Sequence, residues 1–141
     1  MADQHTMHIE IVTPYRMFFE GSVEMLVITS KDGEVGIMPG HTPLMVALTP
    51  GEIRIKVNEK WRVAASSSGY AEVSPELTIV IVNAAEWAEE IDVKRAKQAL
   101  ERAEKRIHGQ DTHSVEKIHA RHGIQRARAR LHVAEKYGHS S

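Results

Sequence analysis

The chain has 141 residues, 42% hydrophobic and 26% charged, with a formal net charge of -1. That length suits one domain or two small ones, and that composition predicts a globular fold rather than a disordered chain. There is no cysteine, which excludes disulfides, thiolate metal sites and cysteine nucleophiles and fits a reducing compartment. The charge is unevenly split. Residues 1–84 hold 6 Lys/Arg against 10 Asp/Glu, a balance of -4, and residues 85–141 hold 12 against 9, a balance of +3. The first residues lack a basic-then-apolar signal pattern, and the longest apolar runs, such as LTIVIV at 77–82, fall far short of the ~20 residues that span a bilayer. The expectation is a soluble protein of two units whose membrane role, if any, comes through a partner.

Residues 1–84 read as strands. HIEIV (8–12), EMLVITS (24–30), PLMVAL (43–48), YAEV (70–73) and LTIVIV (77–82) recur with Gly, Pro, Asp or Asn between them, and all five prolines lie here. The clearest run is GEIRIKVNEKWRVAAS at 51–66. Ile53, Ile55 and Val57 alternate with Glu52, Arg54 and Lys56, the period of a strand buried on one face. Asn58 and Glu59 then make a tight connection into Trp61 and Val63, a hairpin. Many short strands predict an antiparallel sandwich or barrel of residues 1–84. GEVGIMPGHTPL (33–44) has three glycines and a histidine but lacks the Lys-Ser/Thr pair and following helix of a phosphate-binding loop. It reads as a turn stiffened by Pro39 and Pro43, suited to an interaction surface.

Residues 85–141 read as an α-helical antiparallel hairpin. Ala96, Ala99, Leu100, Ala103 and Ile107 recur at helical spacing, Gly109 offers a stop, and Asp111, Thr112 or Ser114 can cap a second helix. In that helix Ala120, Ile124, Ala127, Leu131 and Ala134 repeat at steps of four and three. Small residues on both stripes let the axes approach. Gly123 costs the second helix about 1 kcal/mol relative to alanine, so bending or fraying is expected there. The narrow stripe predicts a hairpin that moves relative to the sandwich.

No catalytic constellation stands out. His119 and His122 are three apart on a helix, but no carboxylate trio or cysteine completes a metal set, so no metal centre is predicted and solvated histidines are the reading. Asp92 and Arg95 can form a surface ion pair. Arg95 and Arg102 lie two turns apart on one side of the first helix, and Arg126 and Arg130 one turn apart on the second. Folded together, these arginines repel unless a polyanion lies between them, and a planar guanidinium suits phosphate. Spacing alone leaves two readings, a solvated basic face or an anion site. A nucleic-acid-binding module using the basic helix is the alternative from another class. Near-neutral charge and the lack of aromatic interleaving argue against it, so no nucleic-acid partner is expected.

Taken together, VTP (12–14), GEVGIMPGHTPL, SGYAEV (68–73), IDVKRA (91–96) and RLHVAE (130–135) resemble the epsilon subunit family of the bacterial F-type ATP synthase, and the resemblance covers nearly the whole chain. It implies a ten-stranded β-sandwich followed by a two-helix hairpin. It implies a non-catalytic rotor subunit of the central stalk that couples proton flow to ATP synthesis, bound to gamma and the c-ring at the cytoplasmic face of the cell membrane. Glu34 and His41 would face those rotor partners. The helices would act as a brake, leaving the motor free when folded down and inhibiting ATP hydrolysis when extended toward alpha and beta. A purely mechanical brake without ATP sensing is the alternative within that role. In some such relatives an Ile/Leu-Asp-x-x-Arg-Ala motif senses ATP, and Ile91, Asp92, Arg95 and Ala96 complete it here. By resemblance Glu86, Ile91, Asp92 and Ala96 would surround the adenine, and Arg95, Arg102, Arg126 and Arg130 the phosphates. ATP, with or without magnesium, would then be a regulatory ligand rather than a catalytic cofactor.

Overall fold

The computed structural model describes residues 5–108 and 114–138. Ten strands come first: β1 (Met7–Val12), β2 (Met17–Val23), β3 (Met25–Ser30), β4 (Gly33–Ile37), β5 (Leu44–Leu48), β6 (Gly51–Val57), β7 (Lys60–Ser66), β8 (Gly69–Val73), β9 (Thr78–Val82) and β10 (Ala85–Trp87). A short 3-10 turn (Ala88–Glu90) leads to α1 (Val93–Ile107) and α2 (Ser114–Tyr137). The strands form one hydrogen-bonded path in the order β10-β7-β6-β3-β5-β8-β9-β1-β2, with β4 added on β3. Pairings are antiparallel except that β1 runs parallel to β9. The path folds over a single core of Ile9, Ile11, Leu26, Ile28, Ile37, Ile53, Ile55, Val80 and Val82 with their neighbours. Its two ends meet across that core, where Trp87 of β10 stacks on Phe18 of β2 with ring centroids 4.5 Å apart.

The expected hairpin at 51–66 is present. Val57 pairs with Lys60, so Asn58 and Glu59 alone make the turn, at φ 51 and 65. Two successive positive φ values define the type I′ geometry that matches strand twist, and asparagine tolerates it best. Ile53 and Ile55 are buried as predicted.

The glycine-rich segment is only partly a turn. Its first half, Gly33–Ile37, is strand β4, paired along β3 from Ser30↔Gly33 to Leu26↔Ile37. Val35 and Ile37 supply the alternation that the glycines obscure. The bend is confined to Met38–His41, where the His41 N–H donates to the Met38 carbonyl at 3.1 Å. Proline at the second position and Gly40 at φ 85 give a type II turn.

The sheet runs past residue 84. Ala85, Glu86 and Trp87 pair with Ser66, Ala65 and Ala64, because Trp87 is a core residue of the sandwich. The Arg62 guanidinium covers its outer ring face, 3.7 Å from the centroid. The helical unit begins after the 3-10 turn.

α2 packs on α1 and also on β7, β6 and the 3-10 turn, so the hairpin is folded down on the sandwich. Ala120, Ile124, Ala127 and Ala134 of the predicted stripe are buried. Val133, which lies off that stripe, is fully buried. It faces the sheet rather than α1, in a second cluster with Val63, Ala65, Ala88, Ile91 and Ala134. α2 thus has two apolar faces, one toward α1 and one, at its C-terminal end, toward β7. Gly123 lies against Ala103, where an added Cβ would come 3.4 Å from the alanine methyl. An added methyl would make close but ordinary contact there, so the interface accommodates the glycine without requiring it. Gly109, Asp111 and Thr112, expected to make and cap the link, lie outside the described residues.

Candidate functional site

Strand alternation aims Glu86. Ala85 and Trp87 point into the sandwich, so Glu86 between them points out toward α2. There its carboxylate takes two hydrogen bonds from Arg130, Nε to Oε1 at 2.6 Å and Nη2 to Oε2 at 3.4 Å. Around this pair the helices and β10 enclose a cleft of about 470 Å³ lined by Glu86, Arg102, Arg106, His119, Arg126 and Arg130, with Ala84, Ala99, Ala103, Ala120, Gly123 and Ala127. Apart from Ala84, which precedes β10, the small residues belong to the facing sides of the two helices, which also carry the cations. A smaller recess, lined by Ser66, Ser67, Glu86, Arg126 and Arg130, continues from it toward β7. Three predicted arginines therefore converge with the predicted acid. Glu86 neutralises one, leaving net positive charge in a space within the ~300–1,000 Å³ range of ligand pockets.

The other four predicted residues do not line this cleft. Ile91 is buried in the second cluster, against α2. Asp92 is the N-cap of α1, its Oδ1 accepting from the Arg95 N–H at 3.0 Å. Ala96 is fully buried and donates its N–H to the Asp92 carbonyl at 3.0 Å. Arg95 is exposed. In this docked form Ile91, Asp92 and Ala96 set the start and direction of α1, and so place Arg102. Asp92→Ala is expected to lower helix-hairpin stability by about 1 kcal/mol, the usual cost of losing a cap. Asp92→Asn keeps the cap and removes the charge. Amide exchange in α1 separates the two, because only the alanine variant should exchange faster.

Arg106 and His119 line the cleft and were not among the predicted residues. Helical spacing could have found them: Arg106 follows Arg102 by one turn, and His119 precedes Arg126 by two.

A larger hollow of about 620 Å³ is lined by Arg54, Trp61, Arg62, Val63, Ala88, Glu89 and Tyr137. Its cations are already engaged. Arg62 lies on Trp87, and Arg54 bridges two acids, Nη1 to Glu52 Oε1 at 2.6 Å and Nη2 to Glu34 Oε2 at 2.7 Å. It is the less suited of the two to a free anion.

Glu34 and His41 lie at either end of the β4-and-turn segment. The hydrogen bond from Arg54 holds the Glu34 carboxyl below its ordinary value, against a smaller opposing effect of desolvation. His41 Nδ1 donates to the Thr42 carbonyl at 2.7 Å. A depressed carboxylate contributes stability that is full above its unfolded pKa, about 4.3, and disappears as the pH falls through the lower folded value. Glu34→Gln is therefore expected to destabilise slightly near neutrality and to match the parent once the pH has fallen below the folded value. Urea unfolding at both ends of that range checks it.

Comparison with known proteins agrees with this architecture. Residues 6–88 match the family described as ATP synthase, Delta/Epsilon chain, beta-sandwich domain. Residues 89–135 match ATP synthase, Delta/Epsilon chain, long alpha-helix domain. The chain is 41% identical to the ATP synthase epsilon chain of Caldanaerobacter subterraneus subsp. tengcongensis, over 94% of this chain and 96% of that one. It is 39% identical to that of Halalkalibacterium halodurans, over 92% and 97%. Among solved structures, a chain of the Euglena gracilis mitochondrial ATP synthase superposes with a TM-score of 0.79 at 21% identity, covering 93% of this chain and 82% of that one. With sandwich, helix pair and sequence in agreement over almost the whole length, the chain belongs to the ATP synthase delta/epsilon family.

Proposed function

We propose that this chain is a non-catalytic epsilon subunit of the central stalk of an F-type ATP synthase, coupling proton flow to ATP synthesis. Its helix pair binds ATP when docked and inhibits ATP hydrolysis when extended toward alpha and beta. The observation that carries the sensing half is the cleft in which Arg102, Arg126 and Arg130 meet Glu86. It exists only while the helices are folded against each other and the sandwich, so a ligand held there stabilises the docked state alone. At a hundredfold excess over Kd that stabilisation is about 2.7 kcal/mol. Abundant ATP holds the brake off, and scarcity releases it. Guanidinium groups engage the phosphates. Glu86 orients Arg130, and the Ile91–Ala96 segment fixes α1 near the adenine end. Magnesium, where present, would accompany the phosphates.

Gamma and the c-ring are the proposed partners of the sandwich. The segment between Glu34 and His41 carries exposed Met38 and leads into exposed Leu44 and Met45, apolar side chains suited to a protein surface. Among the described residues no helix is long and apolar enough to cross a membrane, and the proposed location is peripheral, at the cytoplasmic face of the cell membrane. Calorimetric titration of the full chain with ATP tests the sensing half. Saturable heat supports it, whereas no heat at millimolar ATP leaves the mechanical brake, a reading favoured by the Glu86–Arg130 pair already satisfying one cation.

A further inference from the structure

We propose that His8, Glu10 and Glu20 form a binding site for a borderline divalent transition-metal ion, of the zinc class, on the outer face of the β1–β2 pair. Ile9 and Ile11 of β1 are fully buried, so His8 and Glu10, two apart, share the opposite face. Register places Glu20 of β2 directly across from Glu10. Ligand atoms of the three side chains lie within 4.8 Å of one another. A bound zinc ion draws such atoms in to about 2.0–2.2 Å from itself, a rotation that these side chains, none of them buried, are free to make.

The charge pattern supplies a second argument. Like charges directly opposite on paired strands destabilise a sheet. Here nothing in the register offsets them. The outer-face neighbours on β9 are Ile79, paired with Glu10, and Ile81, paired with Val12. Those on β2 are Glu20 and Ser22. No lysine or arginine occupies any of these positions. The isoleucine flank lowers the local dielectric on one side and strengthens the repulsion. A divalent cation turns that repulsion into attraction on both carboxylates and uses the one nitrogen within reach. A donor set of one imidazole and two carboxylates suits zinc, manganese or iron(II) and not magnesium or calcium, which take oxygen alone. Three protein ligands leave a fourth position open to water. Because β2 ends the sheet path, the ion would also stitch this terminal strand to β1.

The test uses the full chain, stripped with a chelator and titrated calorimetrically with zinc chloride, with magnesium chloride as control. One zinc per chain is expected, weakened at least tenfold by His8→Ala and by Glu20→Gln. The double variant His119→Ala with His122→Ala, which removes the helical histidine pair, is expected to bind as the parent does. Melting curves give a second readout that does not depend on detecting heat. Metal-free Glu20→Gln should melt above the metal-free parent, since the repulsion is gone, and zinc should raise the melting temperature of the parent but not of the variant. Absence of zinc binding overturns the proposal. So does binding that survives His8→Ala and Glu20→Gln, or binding that disappears with the helical pair.

Discussion

Replacing Arg126 and Arg130 together with alanine is expected to weaken ATP binding by at least a hundredfold and to leave the sandwich folded. Each arginine can form a charge-assisted, bidentate contact with phosphate, and such bonds contribute ~1.5–3 kcal/mol apiece. Losing two therefore removes at least ~3 kcal/mol, more than the 2.8 that a hundredfold change represents. Neither arginine belongs to the sandwich core, so circular dichroism of the strands should be unchanged. The Glu86→Gln variant sharpens the result. Glu86 holds Arg130 at 2.6 Å. If the acid competes with phosphate for that guanidinium, the neutral variant binds ATP more tightly. If it accepts from the adenine or locks Arg130 in its productive rotamer, the variant binds more weakly, and an analogue lacking the exocyclic amine tells those two apart. ATP heats unchanged in the double-alanine variant would remove the cleft from any sensing role, while the rotor assignment would stand on the sandwich.

How much of this was readable beforehand differs between the two units for a physical reason. In β6, Ile53 and Ile55 face the core while Arg54 and Lys56 face outward, so apolar alternation writes the strand into the sequence, and the Asn58-Glu59 turn follows. β7 is buried on both faces from Val63 to Ser66, one under the core and one under α2. β4 has the same alternation in Val35 and Ile37, but three nearby glycines masked it as a loop. β10 is three residues long and carries one core side chain, Trp87, too little for any period to show. Along α2 a single stripe was legible because α1 demands it. Val133 was not, because its partner is a sheet formed some seventy residues earlier, and long-range burial leaves no local pattern. The cleft shows the same division. Arg102, Arg126 and Arg130 could be placed from helical spacing, whereas the Glu86–Arg130 contact depends on docking. The face-to-face pair Glu10 and Glu20 needs the β1–β2 register, with its irregularity between Ile11 and Val12, before the two acids can be seen as neighbours.

That dependence on docking leads to a further result, for Val133→Asp. The second cluster is small: Val63, Ala65, Ala88, Ile91, Val133 and Ala134, with Tyr137 packed against it. Fully burying a valine or isoleucine contributes ~1.5–3 kcal/mol, so Val63, Ile91 and Val133 together supply roughly 5–9 kcal/mol, and the entropy lost in ordering the docked helix offsets enough of it that the net contact is worth a few kcal/mol. Val133 is fully buried within it. A carboxylate there would have no designed partner, and an unpaired buried charge costs several kcal/mol. The sum changes sign, and the cheapest escape is to lift α2 off β7 rather than to unfold the sheet, because the two clusters have no residue in common. Hydrogen exchange in α1 and α2 is therefore expected to rise by at least tenfold while strand amides keep their protection. ATP binding should fall in parallel, although no residue of the cleft has changed, since docking itself builds the cleft. In an assembled motor the same variant should inhibit hydrolysis at ATP concentrations where the parent does not. Unaltered helix exchange would mean that the hairpin is held by α1 and the Glu86–Arg130 pair rather than by this cluster, and simultaneous melting of strands and helices would mean that the two units do not separate at all.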